Sequence, residues 1–220
     1  MARSRYDLDR FKDIARALSP AERKKIDESL KIIQTAKEDI QRAERQMADA
    51  RQQIESLPEN DPEVGKARQR FVQAKKDAES CRAVVESLKE TLENLKELAT
   101  VSDSTKDAVV PKSGRIFKYC RDALAGIGKI ATVTGDKSLN REIQKIEQGL
   151  DRLENGMQSV STSNLRSVVN KIFGLIPRML NAAATFMQDL AVTIKASYHQ
   201  VEGYDNIVSK ASKKIWKPKN

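Results

Sequence analysis

The fold is decided by residues 64–99, which read VGKARQRFVQAKKDAESCRAVVESLKETLENLKELA. Apolar residues recur there at alternating intervals of three and four, the repeat that keeps one side of an α-helix apolar. They are Val64, Ala67, Phe71, Ala74, Ala78, Cys81, Val85, Leu88, Leu92, Leu95 and Ala99. The pattern predicts a single helix of about forty residues, about 57 Å long.

A second apolar run precedes this stretch and predicts a partner helix. It comprises Ile26, Leu30, Ile33, Ala36, Ile40, Ala43, Met47, Ala50, Ile54 and Leu57. Ser19-Pro-Ala-Glu22 is typical of a capping box at a helix start, with proline at the first helical position. The segment 57–62, LPENDP, breaks the chain between the runs, so we expect two long antiparallel helices. The alanines near the turn would allow a close approach of the two backbones.

The remaining sequence is organised around shorter helical repeats. Residues 1–100 are predicted to hold an N-terminal helix and the long hairpin, and residues 101–114, rich in turn formers, a linker. Residues 115–203 predict a second helical hairpin or bundle, in which Pro177 should kink or break the last helix and Gly203 should end it. Residues 204–220 form a basic tail. No segment has the pattern of a strand, so the predicted fold is all-α: a coiled-coil-like antiparallel hairpin continuing into a helical bundle.

The composition leaves little for catalysis or metal binding. One histidine, His199, and two cysteines, Cys81 and Cys120, exclude a His/Cys metal site and leave few acid–base or nucleophilic groups. Residues 128–138 differ from a phosphate-binding loop in glycine spacing, and residues 136–147 have arginine where a calcium loop needs glycine. We therefore predict no enzyme, no catalytic, cofactor or metal residues, no cofactor and no small-molecule substrate.

Acidic residues are interleaved with basic ones along several predicted helices. One group comprises Glu86, Glu90, Glu93 and Glu97, and another Glu142, Glu147, Asp151 and Glu154. Lysines or arginines occur among them at helical spacing, which predicts solvated ion pairs.

The net charge of +9 is concentrated towards one end of the sequence. Residues 31–100 carry 13 basic and 14 acidic side chains, whereas residues 161–220 carry 9 basic and 3 acidic. The candidate anionic-surface contacts are Lys210, Lys213, Lys214, Trp216, Lys217 and Lys219. Lysines with a tryptophan suit anionic headgroups of a membrane. Nucleic acid would be attracted by the same lysines and is the less favoured partner, and a basic tail that only aids solubility is the third interpretation.

Residues 168–194 are unusually apolar for a solvated helix, with Lys171, Arg178 and Asp189 as their charged residues. The candidate membrane-inserting or core residues are Phe173, Leu175, Ile176, Met179, Leu180, Phe186, Met187 and Leu190. Either the segment is the central helix of a bundle, or it packs in one form and turns outward to meet lipid. A polar outer surface would count against insertion.

Residues 123–134, small and apolar, fit a mobile helix or a tight helix crossing.

The segment at residues 1–9 is charged on both sides of its few apolar residues, so no secretory signal peptide is predicted. No run approaches the ~18 apolar residues of a transmembrane helix. The predicted location is cytoplasmic or peripheral to a membrane, and export by a route without a cleaved signal remains open.

At the level of architecture alone, this outline resembles α-helical pore-forming cytolysins, membrane-sculpting helical dimers and cell-death four-helix bundles. The resemblance implies membrane engagement, and no motif accompanies it. Our leading hypothesis is a non-enzymatic helical protein that forms homo-oligomers or binds a helical partner through the hairpin. It would engage anionic membrane through residues 164–220, with permeabilisation as a further step. The alternatives are a nucleic-acid-associated packaging or virion protein and a soluble scaffold or adaptor.

Overall fold

The computed structural model describes the backbone of residues 8–14, 18–55, 62–104, 110–111, 115–156, 159–160 and 162–215, and the side chains within 8–14, 18–46, 65–102, 115–156 and 163–197. A 3₁₀ turn, Leu8–Arg10, leads into α1 (Phe11–Ile14), α2 (Pro20–Glu55) and α3 (Pro62–Ser104). The helices that follow are α4 (Arg115–Thr134), α5 (Lys137–Gly156), α6 (Thr162–Gly174) and α7 (Ile176–Ile215). The predicted all-α fold, a long hairpin continuing into a helical bundle, is confirmed.

Two details between the helices differ from the prediction. The strands β1 (Val110–Pro111) and β2 (Ser159–Val160) form a two-residue antiparallel ladder, pairing Val110 with Val160. The sequence predicted no strand, because two residues are too few to show an alternating pattern. Helix α3 continues to Ser104, so the first four residues of the predicted linker are helical. Val101 is half-buried three residues after the buried Leu98, which extends the apolar side of the helix by one turn.

The predicted capping box is present at the start of α2. The Ser19 amide and hydroxyl donate hydrogen bonds to the Glu22 carboxylate at 2.9 and 2.7 Å, and the Glu22 amide donates to Ser19 Oγ at 3.3 Å. These bonds from Ser19 lower the pKa of Glu22, because they stabilise its ionised form. They also satisfy amide groups that have no partner in the first helical turn.

Helix α3 is buried on a wider side than a two-helix hairpin requires. The described residues of its predicted seam are buried, except Phe71 and Ala99, which are half-buried. Beside the seam lies a second buried row at seven-residue spacing: Asp77, Val84, Thr91 and Leu98. This row was not predicted from the sequence. It is buried because further helices cover α3, and α4 is one of them, since Asn94 Nδ2 donates to the Asp122 carbonyl at 3.2 Å.

The turn between α4 and α5 consists of two residues that end one helix and begin the next. Gly135 has φ +73°, and its amide and that of Asp136 donate to the carbonyls of Thr132 and Ala131. This is the Schellman arrangement, which glycine adopts without strain. Asp136 Oδ1 then accepts from the amides of Ser138 and Leu139 at 3.0 and 2.9 Å, as an N-cap that contributes about 1 kcal/mol.

The last predicted helix is divided in two, as expected near Pro177. Helix α6 ends at Gly174 and α7 begins at Ile176, with the Met179 amide donating to the Leu175 carbonyl at 2.9 Å. Pro177 lies in the first turn of α7, where its missing N–H costs no hydrogen bond. The predicted stop at Gly203 is wrong, because α7 continues through it to Ile215. Apolar residues continue at helical spacing beyond the glycine, at positions 204, 208, 211 and 215.

The chain divides into two compact units. The described residues of the first unit lie within 1–33 and 83–186, and those of the second within 34–82 and 187–220. The first is centred on large buried side chains such as Leu88, Leu95, Ile127 and Leu150. The core of the second is rich in alanine, and its described buried apolar residues are Ala36, Ile40, Ala43, Ala67, Ala74, Ala78, Cys81, Met187, Ala191 and Ile194. Each unit combines parts of 1–100 with later residues, because compactness follows packing between helices rather than chain order.

Candidate functional site

The apolar residues of the candidate inserting segment are part of the protein core. Those that are buried are Phe173, Leu175, Ile176, Met179, Leu180 and Met187. Phe186 and Leu190 are half-buried. In this structure, therefore, most of the apolar residues of 168–194 pack in the core, as in the first interpretation, and do not face outward to meet lipid.

The outer side of the same segment is polar. Its exposed residues include Lys171, Asn181, Thr185, Gln188 and Asp189, and the large apolar one among them is Val192, 65% exposed. A surface of this composition is expected of a helix that faces water. It counts against insertion of this segment into lipid in the folded state.

The small residues at 123–134 form a tight helix crossing. Gly126 is buried against α3, and a Cβ at this position would lie 2.6 Å from Thr91 Oγ1 and 3.3 Å from Thr91 Cα. Thr91 is fully buried, and its hydroxyl donates to the Ser87 carbonyl at 2.7 Å. The glycine is thus required by the approach of two backbones, which supports the crossing rather than the mobile helix.

The predicted anionic-surface residues lie outside the described side chains. Positions 210, 213 and 214 belong to the last turns of α7, and positions 216, 217 and 219 follow its described end at Ile215. Their contacts with an anionic surface remain a prediction.

Three of the four acidic residues of α5, Glu142, Asp151 and Glu154, pair with arginines on other helices. Arg178 of α7 donates through Nη1 to Glu142 Oε1 at 2.5 Å and through Nη2 to Ser138 Oγ, and its Nε lies 3.8 Å from Asp136 Oδ2. Arg121 of α4 donates to Asp151 Oδ1 at 3.0 Å and to Glu154 Oε2, and these two hydrogen bonds raise its pKa. The sequence predicted pairs at helical spacing, but here the pairs join α5 to its neighbours.

The basic residues of α5 face solvent. Lys137, Arg141, Lys145 and Arg152 are exposed, and within the part of the chain that the structure describes none of them has an acidic partner. We call these four, with the exposed Gln148 between them, the α5 basic face. This face was not predicted from the sequence, although the four- and seven-residue spacing of its basic residues indicates that they share one side of a helix. Helix α6 packs against α5, and its charged residues, Arg166 and Lys171, are also basic and exposed.

An open groove of about 390 Å³ lies between α4 and α5, in the region that resembled phosphate and calcium loops. Its lining includes Leu124, Gly128, Asn140, Ile143 and Glu147. Residues 137–147 are helical, so the oxygen-bearing side chains of the calcium-like segment are spread around a helix rather than gathered in a loop. Among the described side chains there is no group of three or more His, Cys, Asp or Glu residues placed to hold a metal ion.

The two cysteines are buried free thiols. Desolvation raises the pKa of both Cys81 and Cys120 to about 12, and at Cys81 the charges of Asp77 and Glu44 act in the same direction. Because the thiolate is the reactive form, both thiols should be inert in the folded protein.

We expect Cys81 and Cys120 to react with a disulfide reagent at pH 8 about a thousandfold more slowly in the native protein than in urea. The unfolded chain ionises first as pH rises, so the thiol contribution to stability is retained below about pH 9 and lost towards about pH 12. Labelling kinetics of the single variants Cys81→Ala and Cys120→Ala separate the two sites. Fast native labelling of either would contradict its burial.

No described helix combines the length and the apolar character needed to cross a bilayer. Comparison with known proteins found no matching family model, no matching curated protein and no matching solved structure.

Proposed function

We propose that this protein is a non-enzymatic helical interaction protein that docks on an anionic membrane through residues 204–220. The proposal rests on the segregation of charge, since residues 161–220 carry 9 basic and 3 acidic side chains. Lysines at positions 210, 213 and 214 are spaced so that they share one side of a helix, and α7 is helical at these positions. Trp216 suits the headgroup layer beside them.

The burial of most apolar residues between positions 173 and 187 supports docking from outside over insertion. Residues such as Ile176, Met179 and Leu180 are fully buried, so turning them towards lipid would first require the core to open. Electrostatic docking has no such requirement. Each lysine near an anionic surface contributes about 1 kcal/mol, so the five lysines at 210–219 supply about 5 kcal/mol at low salt.

The test is flotation with anionic and neutral liposomes, combined with dye leakage, for the full chain and a variant ending at residue 207. We expect the full chain to float with anionic vesicles only, and the truncated variant not to float with either kind. Raised salt should weaken binding, because screening reduces the attraction of the lysines. Neither protein should cause the vesicles to release dye.

A full-chain control with the same type of charge loss, Lys24→Gln with Lys31→Gln on the exposed side of α2, should bind like the unaltered protein. Failure of the full chain to bind anionic vesicles would contradict the proposal. Binding accompanied by dye leakage would contradict docking from outside and favour opening of residues 168–194.

Self-association through the hairpin is the second part of the proposal. The seam alanines Ala36, Ala43, Ala67, Ala74 and Ala78 are buried within one chain. Exchange of helices between copies would therefore require the hairpin to open first.

A further inference from the structure

We propose that the α5 basic face binds the phosphate backbone of double-stranded nucleic acid, without preference for base sequence. The face consists of α5 residues whose side chains the structure describes, and it includes no residue of 204–220.

The face is a continuous row on the side of α5 opposite the core. The side chains of Leu139, Ile143, Ile146 and Leu150 are buried. At about 100° per residue, positions 137, 141, 145, 148 and 152 fall on the opposite side of the helix. From Lys137 to Arg152 the row extends about 22 Å along the helix axis.

The positive charge of the face is not neutralised locally. Three acidic residues of α5 are engaged elsewhere, Glu142 with Arg178 and both Asp151 and Glu154 with Arg121. On α3, by contrast, Lys89 and Lys96 pair with Glu86 and Glu93 of the same helix. Among the described residues, the basic residues of α5 therefore face solvent without an acidic partner, because most of the acidic residues of α5 are paired with arginines of α4 and α7.

The chemistry of the surface favours a duplex over a bilayer or a single strand. The exposed large apolar residues among the described side chains are Ile32, Val72, Val133 and Val192, and none of them lies on α5 or α6. Peripheral membrane helices use apolar or tryptophan anchors, and proteins that bind single strands use aromatic rings on which bases stack. Lysine, arginine and glutamine without such groups are typical of contacts to phosphate oxygens, which position a protein without reading sequence.

The length of the face also suits a duplex. A duplex presents one negative charge for each ~1.7 Å of its axis, so a row of about 22 Å lies opposite several phosphates. The four cations of the face allow up to four phosphate contacts. Because α5 is packed against α4 and α6, only this outer side is available, and it would lie along the backbone rather than enter a groove.

The experiment measures binding of the full chain to a short DNA duplex between about 50 and about 200 mM salt. Four phosphate contacts predict that log K falls with log salt at a slope of about −4, or more steeply if lysines at 210–219 contribute. In the double variant Arg141→Gln with Lys145→Gln the slope should become shallower by about 2, and the affinity at about 100 mM salt should fall at least about tenfold.

The control is the double variant Lys24→Gln with Lys31→Gln, which has the same net charge and is altered at exposed positions of α2. It should keep the slope and bind within about twofold of the unaltered protein. Both variants replace exposed residues by a good helix former, so unchanged circular dichroism and melting temperature verify that they fold.

Further arms compare duplex RNA, single-stranded DNA and anionic vesicles. Equal losses of duplex DNA and duplex RNA binding in the α5 variant, with vesicle binding retained, support the proposal. Three results would overturn it: no duplex binding by the unaltered chain at about 50 mM salt, equal binding by the α5 variant and the control, or loss of vesicle binding alone.

Discussion

Replacing Leu180 by alanine is expected to lower the free energy of unfolding by about 2–5 kcal/mol. Leu180 is fully buried near the start of α7, so the substitution removes apolar surface from the core and leaves a cavity behind it. At about 2–4 °C per kcal/mol for a chain of this size, the melting temperature should fall by about 10 °C. Thermal unfolding followed by circular dichroism measures the change.

The matched control is Val192→Ala, because Val192 lies on the same helix and is 65% exposed. Its melting temperature should stay close to that of the unaltered protein, within the about 0.5 kcal/mol expected of a surface substitution. Comparison of the two variants also distinguishes a role of Leu180 in the core from a role in contact with lipid. A Leu180→Ala protein that melts normally but interacts less with vesicles would show that the residue serves the membrane and not the fold.

Replacing Gly126 by alanine is expected to cost about 1–3 kcal/mol, although alanine is the better helix former. The added Cβ would lie 2.6 Å from Thr91 Oγ1. Rotating the threonine aside would break its 2.7 Å hydrogen bond to the Ser87 carbonyl and leave a buried hydroxyl without a partner. The 3.3 Å approach to Thr91 Cα could be relieved only by moving a backbone.

Gly149 of α5 provides a control at which the same substitution should change stability in the opposite direction. It has no neighbouring atom within 4 Å of an added Cβ, so Gly149→Ala should stabilise the protein by about 0.5–1 kcal/mol. A double-mutant cycle with Thr91→Ala identifies the contact, since the double variant should be destabilised less than the sum of the single ones. Stabilisation by Gly126→Ala, like that by Gly149→Ala, would mean that α3 and α4 lie further apart than described.

Features that depend on residues near one another in sequence were predictable. The three- and four-residue spacing located the buried side of α3, and the Ser19 and Glu22 pattern located the start of α2. Pro177 marked the division between α6 and α7, because proline is restricted to the first turn of a helix. In the candidate site, the sequence offered two interpretations of residues such as Leu180, and the fold places them in the core.

Features that depend on which helix lies beside which were not predictable from periodicity. The row containing Thr91 is buried because other helices cover α3, and a helical repeat specifies an angle around its own axis without specifying its neighbours. For the same reason the partners of Glu142 and Asp151 were expected on α5, whereas they lie on α7 and α4. A single glycine such as Gly203 does not by itself predict a helix end, because its cost of about 1 kcal/mol within a helix can be offset by flanking residues, and α7 continues through it.

The turn at Gly135 and Asp136 has a practical consequence for anyone modifying this protein. Surface turns are usually the first choice for an epitope tag, a fluorophore loop or a circular permutation site. Here two residues supply the end of α4, the N-cap of α5 and an ion-pair partner 3.8 Å from Arg178 Nε. An insertion would separate these roles, so a tag that must leave the fold intact should not be placed between α4 and α5.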